Sequence, residues 1–173
     1  LLPEFLLAVC HPLESLMIVK TDYRIRSSRT DYNILLRNKC LGDQPRFTPD
    51  KTVLFVHGAT YGSTDTFDYE IEGISWMDVL ASQGFDTWCL DLLGYGQSDR
   101  PAEMDQPAED NLPLVDTAHA IVDVNHAFAH IFQKRGIDCL HLIGYSWGTA
   151  ICGGYAGQYP DHVNKLVLSG ALW

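Results

Sequence analysis

The sequence predicts an α/β fold in which helices cover both faces of a mostly parallel sheet. Short, continuous apolar runs recur along the chain, and such runs are typical of strands buried on both faces. Helix-like segments separate these runs, and repeated strand–helix–strand units form a parallel sheet with right-handed connections. A length of 173 residues with 46% hydrophobic content suits one core. A single domain spanning residues 1–173 is therefore expected.

The individual elements follow in chain order. Alternating apolar and polar residues at 16–40, with turn residues at 27–30, predict an antiparallel hairpin. A proline-bearing loop at 42–50 then leads into a buried strand at 52–56. The remaining predicted elements are a short helix at 76–82, a strand at 85–90, an acidic loop at 101–113, a long helix at 114–135 that Gly136 ends, a strand at 140–143, a helix at 147–159 and a strand at 165–169.

Charge and composition narrow the classes of partner. A formal net charge of −10 argues against nucleic acid or an anionic membrane, because binding phosphates requires clustered Lys and Arg. No apolar run approaches the roughly 18 residues of a membrane span. The five scattered cysteines form no CxxC pair and are interpreted as reduced packing residues. A small-molecule substrate and a cytoplasmic location are expected, with a removed leader left open and no signal for the oligomeric state.

The strongest chemical signal is Gly144-Tyr145-Ser146-Trp147-Gly148, which lies between a predicted buried strand and a predicted helix. A nucleophilic serine on such a sharp turn needs glycines two residues to either side, where a side chain would clash. Ser146 is therefore predicted to be a nucleophile. The N–H of Trp147 would lie at a helix start, where it could stabilise the negative oxygen of a tetrahedral intermediate.

A second oxyanion donor is expected from the loop after the first buried strand, where His57-Gly58-Ala59-Thr60 stands. Gly58 allows the chain to turn across the top of the sheet. The N–H of Ala59 is the predicted donor, with that of Thr60 as the second choice. His57 is interpreted as a residue that fixes this loop, since a catalytic base would approach Ser146 from a different loop.

These motifs resemble the α/β-hydrolase family, whose nucleophile turn, HG loop and DxxGxGxS loop occur here in the family's order. The third is DLLGYGQS at residues 91–98, and the resemblance runs from Val53 to Leu168. The turn and its helix are most similar to the small-ester-hydrolase and proline-iminopeptidase branches. The resemblance implies an α/β-hydrolase fold whose catalytic acid and histidine follow the serine on loops after later strands.

After Ser146, the only candidates for the catalytic acid and histidine are Asp161 and His162. Both precede the next strand and are predicted to lie at the edge of the sheet opposite Ser146. They are not expected to act as acid and base. The domain is therefore expected to be incomplete after the strand at 165–169. The catalytic acid, the histidine and any lid would lie outside residues 1–173.

Two further patterns resemble other kinds of binding site but are not predicted to act as such. Gly94-Tyr95-Gly96 is not predicted to bind a dinucleotide, because Asp99 replaces the third glycine of GxGxxG. His119, Asp123, His126 and His130 fall at i, i+4, i+7 and i+11 on the long helix and mimic a metal site. They are interpreted instead as a solvated face opposite Val115, Val122 and Phe132, which with Ala118 and Phe128 are the apolar positions near helical spacing. No metal and no cofactor are predicted.

The expected function is cofactor-independent hydrolysis of a carboxylic ester, or of a related amide, through an acyl-enzyme on Ser146. An aminopeptidase similar to the proline iminopeptidases is an alternative. After the first buried strand, that family's pattern is His-Gly-Gly-Pro-Gly, whereas this chain has His57-Gly58-Ala59-Thr60-Tyr61, which makes the peptidase less favoured. An Asp nucleophile would have indicated epoxide or haloalkane chemistry. A non-catalytic binding or scaffold protein on the same fold is the alternative from a different class.

Overall fold

The computed structural model describes residues 17–171, which form a six-stranded sheet in the order β1-β2-β4-β3-β5-β6. The strands are β1 (Ile18–Arg26), β2 (Asn33–Leu41), β3 (Thr52–Val56), β4 (Asp86–Asp91), β5 (Leu140–Tyr145) and β6 (Val163–Ser169). The α-helices are α1 (Ser63–Thr66), α2 (Trp76–Ser82), α3 (Thr117–Arg135) and α4 (Trp147–Gln158). The predicted α/β class, the hairpin and the mostly parallel sheet are confirmed.

The direction of the strands determines where a site can form. β1 and β2 are antiparallel to their neighbours, whereas β4, β3, β5 and β6 run parallel. The carboxyl ends of those four strands therefore lie along one edge of the sheet. In open α/β sheets, ligands bind in the crevice beyond this edge.

Alternation along the central strands builds two apolar cores. Leu54 and Val56 of β3 face the core that includes α3 and α4. Val53 and Phe55 face a smaller core that includes Met77 of α2. Successive side chains of a strand point to opposite faces, so one continuous apolar run serves both helical layers.

Several boundaries moved from their predicted positions. β3 and α2 have the bounds that the sequence predicted, whereas β4 is displaced by one residue toward the carboxyl end. α3 begins three residues late because the side chain of Asp116 accepts a hydrogen bond from the His119 N–H, which caps the helix there. It ends at Gly136, whose φ of 66° is the left-handed conformation that glycine adopts without strain. The short helix α1 was not predicted.

The buried face of α3 was predicted only in part: Phe132, and Val115 just before the helix, pack partly buried against the core. Val122 is 42% exposed, and Phe128 is the only predicted apolar position among the fully buried ones. The side chains that α3 buries in the core are Ala120, Ile121, Val124, Ala127, Phe128 and Ile131. The spacing of the apolar residues was too irregular to fix the orientation of the helix.

The polar stripe on α3 is also not a solvated face. Asp123 is fully buried, and its Oδ1 accepts hydrogen bonds from the Ser27 hydroxyl at 3.1 Å and the Ser28 N–H at 2.5 Å. His130 packs its ring 4.7 Å from that of Tyr23. His119 alone keeps the predicted exposure, beside Asp116. These side chains are shielded from solvent because β1 and the turn after it cover this side of the helix.

We expect Asp123→Asn to stabilise the protein at neutral pH. Burial raises the pKa of the Asp123 carboxyl above its ordinary value of 3.8, so the fold favours the protonated form. Stability is therefore lost as pH rises from that value through the raised pKa. The amide keeps an oxygen for Ser27 and Ser28 and carries no charge.

Thermal unfolding at pH 4 and pH 7 checks this expectation. The variant should have the higher midpoint at pH 7, and its advantage should shrink toward pH 4. Asp123→Ala should lower the midpoint at both values, because it leaves two buried donors without an acceptor. A lower midpoint for Asp123→Asn at pH 7 would contradict the account.

Candidate active site

Ser146 stands on a strained turn between β5 and α4. Its φ of 53° and ψ of −119° lie outside the regions that side chains favour, and such a conformation costs roughly 1–3 kcal/mol. Hydrogen bonds hold it in place. Its N–H donates to the Ser169 carbonyl at 3.0 Å, and its own carbonyl accepts from the Thr149 N–H at 2.9 Å. The turn therefore keeps Ser146 at the carboxyl edge of the sheet.

The flanking glycines are required by contact with backbone. A Cβ on Gly144 would lie 2.3 Å from the Gly148 carbonyl oxygen, and one on Gly148 would lie 2.4 Å from the carbonyl oxygen of Val56. Both separations are far inside van der Waals contact, and neither neighbour is a flexible side-chain end. The two glycines of GxSxG thus allow β5 to pack closely against the start of α4, and α4 to pack closely against the end of β3.

The loop after β3 packs directly against the serine. A Cβ on Gly58 would come within 2.8 Å of the Ser146 Cβ and 3.3 Å of its hydroxyl oxygen. The loop and the serine form a small cleft of about 170 Å³. Its walls are Gly58, Ala59, Thr60, Tyr61, Thr66, Tyr145 and Ser146. The structure thereby brings Ala59 and Ser146 into one cleft.

Trp147, the other predicted donor residue, is the first residue of α4. The first amides of a helix lack intrahelical acceptors and point their hydrogens outward from its start. Its indole donates a hydrogen bond from Nε1 to the Thr117 hydroxyl at 3.0 Å, which ties α4 to the start of α3. Of the two predicted donors, Trp147 follows Ser146 directly in the chain, and Ala59 lines the same cleft as Ser146.

His57 is fully buried and held at both ring nitrogens. Its Nε2 accepts a hydrogen bond from the Leu92 N–H at 3.0 Å, and its Nδ1 is 2.6 Å from the Gly58 carbonyl oxygen. These partners assign the proton to Nδ1 and leave the ring neutral. Burial lowers the pKa of His57, which favours the same state. The ring fixes the loop and has no free acceptor with which to take a proton from Ser146.

Asp91 connects α1 to the DLLGYGQS segment at this edge of the sheet, a role that the sequence did not reveal. Its carboxylate accepts from the Thr64 N–H at 2.9 Å, the Thr64 hydroxyl at 2.8 Å and the Gln97 N–H at 2.9 Å. A Cβ on Gly96 would overlap this carboxylate. The DxxGxGxS motif is therefore structural here: its aspartate is buried and its glycine makes room for it.

Tyr95 of the same motif reaches the predicted oxyanion loop. Its hydroxyl donates to the Ala59 carbonyl at 3.0 Å, and its ring lies 4.7 Å from that of His57. Partial burial raises the pKa of Tyr95, so the hydroxyl keeps its proton and remains a donor. The aromatic residue in the motif was visible in the sequence, but its partner was not.

Asp161 and His162 lie at the opposite end of the sheet from Ser146, as predicted. Leu140 pairs with Val163, whereas Tyr145 pairs with Ser169, so the length of a strand separates the two positions. At about 3.3 Å per residue this distance is roughly 15–20 Å. His162 is 2.8 Å from the Tyr155 hydroxyl instead. Within residues 17–171, no carboxylate or imidazole lines the cleft at Ser146.

The described residues, 17–171, contain neither a cluster of three metal-ligating side chains nor a helix long and apolar enough to cross a membrane. Cys40, Cys89, Cys139 and Cys152 are free thiols, and burial raises the pKa of all four. Cys10 lies outside the described residues.

A family model described as the alpha/beta hydrolase fold matches residues 51–173. The chain belongs to the α/β-hydrolase family. The match begins just before β3 and includes the HG loop, the DLLGYGQS segment and the turn at Ser146. It confirms the family that the motifs predicted.

Similar proteins within the family differ in their named activities. A probable 1-acylglycerol-3-phosphate O-acyltransferase of Oryza sativa subsp. japonica is 31% identical over 137 residues, 74% of this chain and 29% of that protein. Protein ABHD8 of Mus musculus is 27% identical over 69% of this chain and 23% of its own length. A proline iminopeptidase of Heyndrickxia coagulans is 30% identical over 48% of this chain and 26% of its own length. The chain thus spans less than a third of these relatives.

Solved structures support the fold. A predicted CIB-like hydrolase of Thermoplasma acidophilum superposes with a TM-score of 0.63 at 16% identity, over 91% of this chain and 65% of that one. A bacterial membrane phospholipase A superposes with a TM-score of 0.62 at 22% identity, over 88% and 40%. At these identities, the similarity shows the α/β-hydrolase fold but does not indicate a substrate.

Proposed function

We propose that this α/β-hydrolase acts on a small-molecule carboxylic ester through an acyl-enzyme formed on Ser146. The observation that carries the proposal is the strained backbone of Ser146, held between two glycines that packing requires. Strain of this kind persists only where the surroundings enforce it, and it clusters at functional sites. A serine that served only the turn would not need the hydroxyl to face a cleft.

In the proposed reaction, the Ser146 oxygen attacks the ester carbonyl while a base takes its proton. The N–H groups of Ala59 and Trp147 would stabilise the oxyanion, and the alcohol would leave with a proton. Water then hydrolyses the acyl-enzyme and releases the acid. His57 would keep Ala59 in position through the Gly58 carbonyl, as its two hydrogen bonds indicate.

The base and its acidic partner would come from outside residues 17–171. Within those residues, His57 is fully engaged and His162 lies at the far end of the sheet. The matched segment is less than a third of each relative's length, so most of their chains lies outside it. The proposed activity accordingly belongs to the full-length protein.

Two related activities share the same acyl-enzyme. The rice relative is named an acyltransferase, and in such a reaction an alcohol would replace water as the acceptor of the acyl group. The Heyndrickxia relative is named a proline iminopeptidase, which cleaves an amide. Ala59 and Thr60 stand where the iminopeptidase pattern has Gly and Pro, which favours the ester reading over the peptidase one.

Steady-state assays of the full-length protein separate these activities. We expect p-nitrophenyl acetate to be hydrolysed with release of acetate, at a rate far above that of proline p-nitroanilide. Adding a monoacylglycerol acceptor should leave most of the acyl group in free acid. Faster turnover of the anilide would favour the peptidase. Acyl transfer without free acid would favour the transferase, and no turnover of any ester would favour a binding protein.

A further inference from the structure

A second concave surface lies beside the cleft at the carboxyl edge of the sheet. It is a mostly apolar groove of about 600 Å³ between the loop after β4 and the acidic loop that leads to α3. We call it the Tyr95 groove. Its principal apolar walls are Tyr95, Met104, Ala108, Leu112, Leu114 and Val115.

The two concavities differ in what they can hold. Ligand sites typically measure about 300–1,000 Å³, a range that includes the Tyr95 groove and excludes the cleft at Ser146, which measures about 170 Å³. In the described part of the chain, the cleft has room only for the reacting group. A larger substrate must therefore extend beyond it.

One side chain connects the groove to the cleft. Tyr95 lines the groove, and its hydroxyl donates to the carbonyl of Ala59, which lines the cleft. The Tyr95 ring also lies 6.3 Å from that of Trp147, the first residue of the helix that follows Ser146. A chain leaving the cleft over Ala59 would meet Tyr95 first. Two grooves of similar volume, around Asp138 and around Val79, have no such hydrogen bond from a wall residue to a wall residue of the cleft within residues 17–171.

The charge around the groove restricts the ligand further. Glu103 on its rim is paired with Arg29, but Glu109 and Asp110 are exposed on the same loop. A carboxylate or phosphate close to this rim would be repelled, whereas an uncharged hydrocarbon would not. The apolar floor and acidic rim together fit a neutral alkyl chain.

Resting on the proposed function, we infer that the Tyr95 groove binds the hydrocarbon tail of a neutral ester whose carbonyl lies at Ser146. The substrate class is then an uncharged ester with an alkyl chain of medium length. The tail belongs either to the acyl group or to the alcohol, and both place the same chemistry in the groove.

The test is Leu112→Asp in the full-length protein. Leu112 is 86% exposed, so the change places a charge in the groove without opening the core. We expect kcat/KM to fall about tenfold or more for p-nitrophenyl decanoate or for decyl acetate, because the alkyl chain would lose apolar contact. Loss with the first substrate assigns the tail to the acyl side, and loss with the second assigns it to the alcohol side.

The controls separate the groove from the nucleophile. The fall in kcat/KM for p-nitrophenyl acetate in Leu112→Asp should be much smaller than that for the affected decyl-chain substrate, since an acetyl group does not reach the groove. Ile71→Asp, at a position 72% exposed and outside the groove, should leave all three substrates unchanged. Failure of acetate turnover in the unmodified protein would reject the function of Ser146 itself.

Three outcomes would overturn the inference while leaving that function intact. The first is unchanged turnover of both decyl-chain substrates in Leu112→Asp. The second is an equal fall for acetate and decanoate. The third is a melting temperature lowered by Leu112→Asp but not by Ile71→Asp, which would show that another part of the protein packs in the groove.

Discussion

Replacing Ser146 by alanine in the full-length protein is expected to lower kcat for ester hydrolysis by roughly 10⁴–10⁶, the loss that follows removal of a nucleophile in serine hydrolases. The fold should tolerate the change, because the backbone hydrogen bonds to Ser169 and from Thr149 do not involve the hydroxyl. The melting temperature should therefore stay within a degree or two. Initial rates with p-nitrophenyl acetate and a thermal scan provide the two measurements.

The matched control is Ser82→Ala, which removes a hydroxyl from an exposed position on α2. It should leave kcat unchanged. Substantial turnover by Ser146→Ala would mean that the nucleophile is elsewhere. Equal losses in both variants would mean that the assay reports stability and not chemistry.

Gly148→Ala is expected to have the second-largest effect, this time on stability. The added Cβ would lie 2.4 Å from the Val56 carbonyl oxygen and 2.6 Å from that of His57. Both atoms belong to the backbone at the end of β3, so α4 would have to move away from the sheet. Overpacking of this kind costs about 1–3 kcal/mol and sometimes more. Activity should fall too, because the movement displaces Trp147 and Ser146.

Gly153→Ala provides a control in the same helix. Nothing lies within 4 Å of a Cβ at Gly153, so the change adds helix propensity without a clash. It should stabilise the protein by up to about 1 kcal/mol. Urea unfolding of the two variants should therefore shift in opposite directions. A Gly148→Ala midpoint equal to that of Gly153→Ala would show that the turn has more room than the structure gives it.

The sequence predicted those features that depend on local pattern. β3 was predicted from a continuous apolar run, which in the structure is a strand of five buried residues. The turn at Ser146 was predicted from the glycines on either side of it, and close packing requires glycine at both positions. The start of α3 was predicted three residues too early, because it depends on one capping side chain, Asp116. The polar stripe around Asp123 was predicted to face solvent, but β1 and the turn after it cover it.

Contacts between distant segments could not be predicted from one sequence. The bond from Tyr95 to Ala59 joins residues 36 positions apart, and that from Thr64 to Asp91 joins residues 27 apart. No sequence pattern in either segment predicts which segment it will contact. The same limit applies to the Tyr95 groove, whose walls come from the turn after β4 and from the acidic loop, which only the fold brings together.

The central claim, that Ser146 is the nucleophile, is tested most directly by mapping a covalent adduct. The full-length protein would be treated with a fluorophosphonate and digested, and the modified peptide identified by mass spectrometry. The account predicts one adduct per chain, on Ser146, and none in Ser146→Ala. An adduct on a different residue, or equal labelling of the alanine variant, would contradict it.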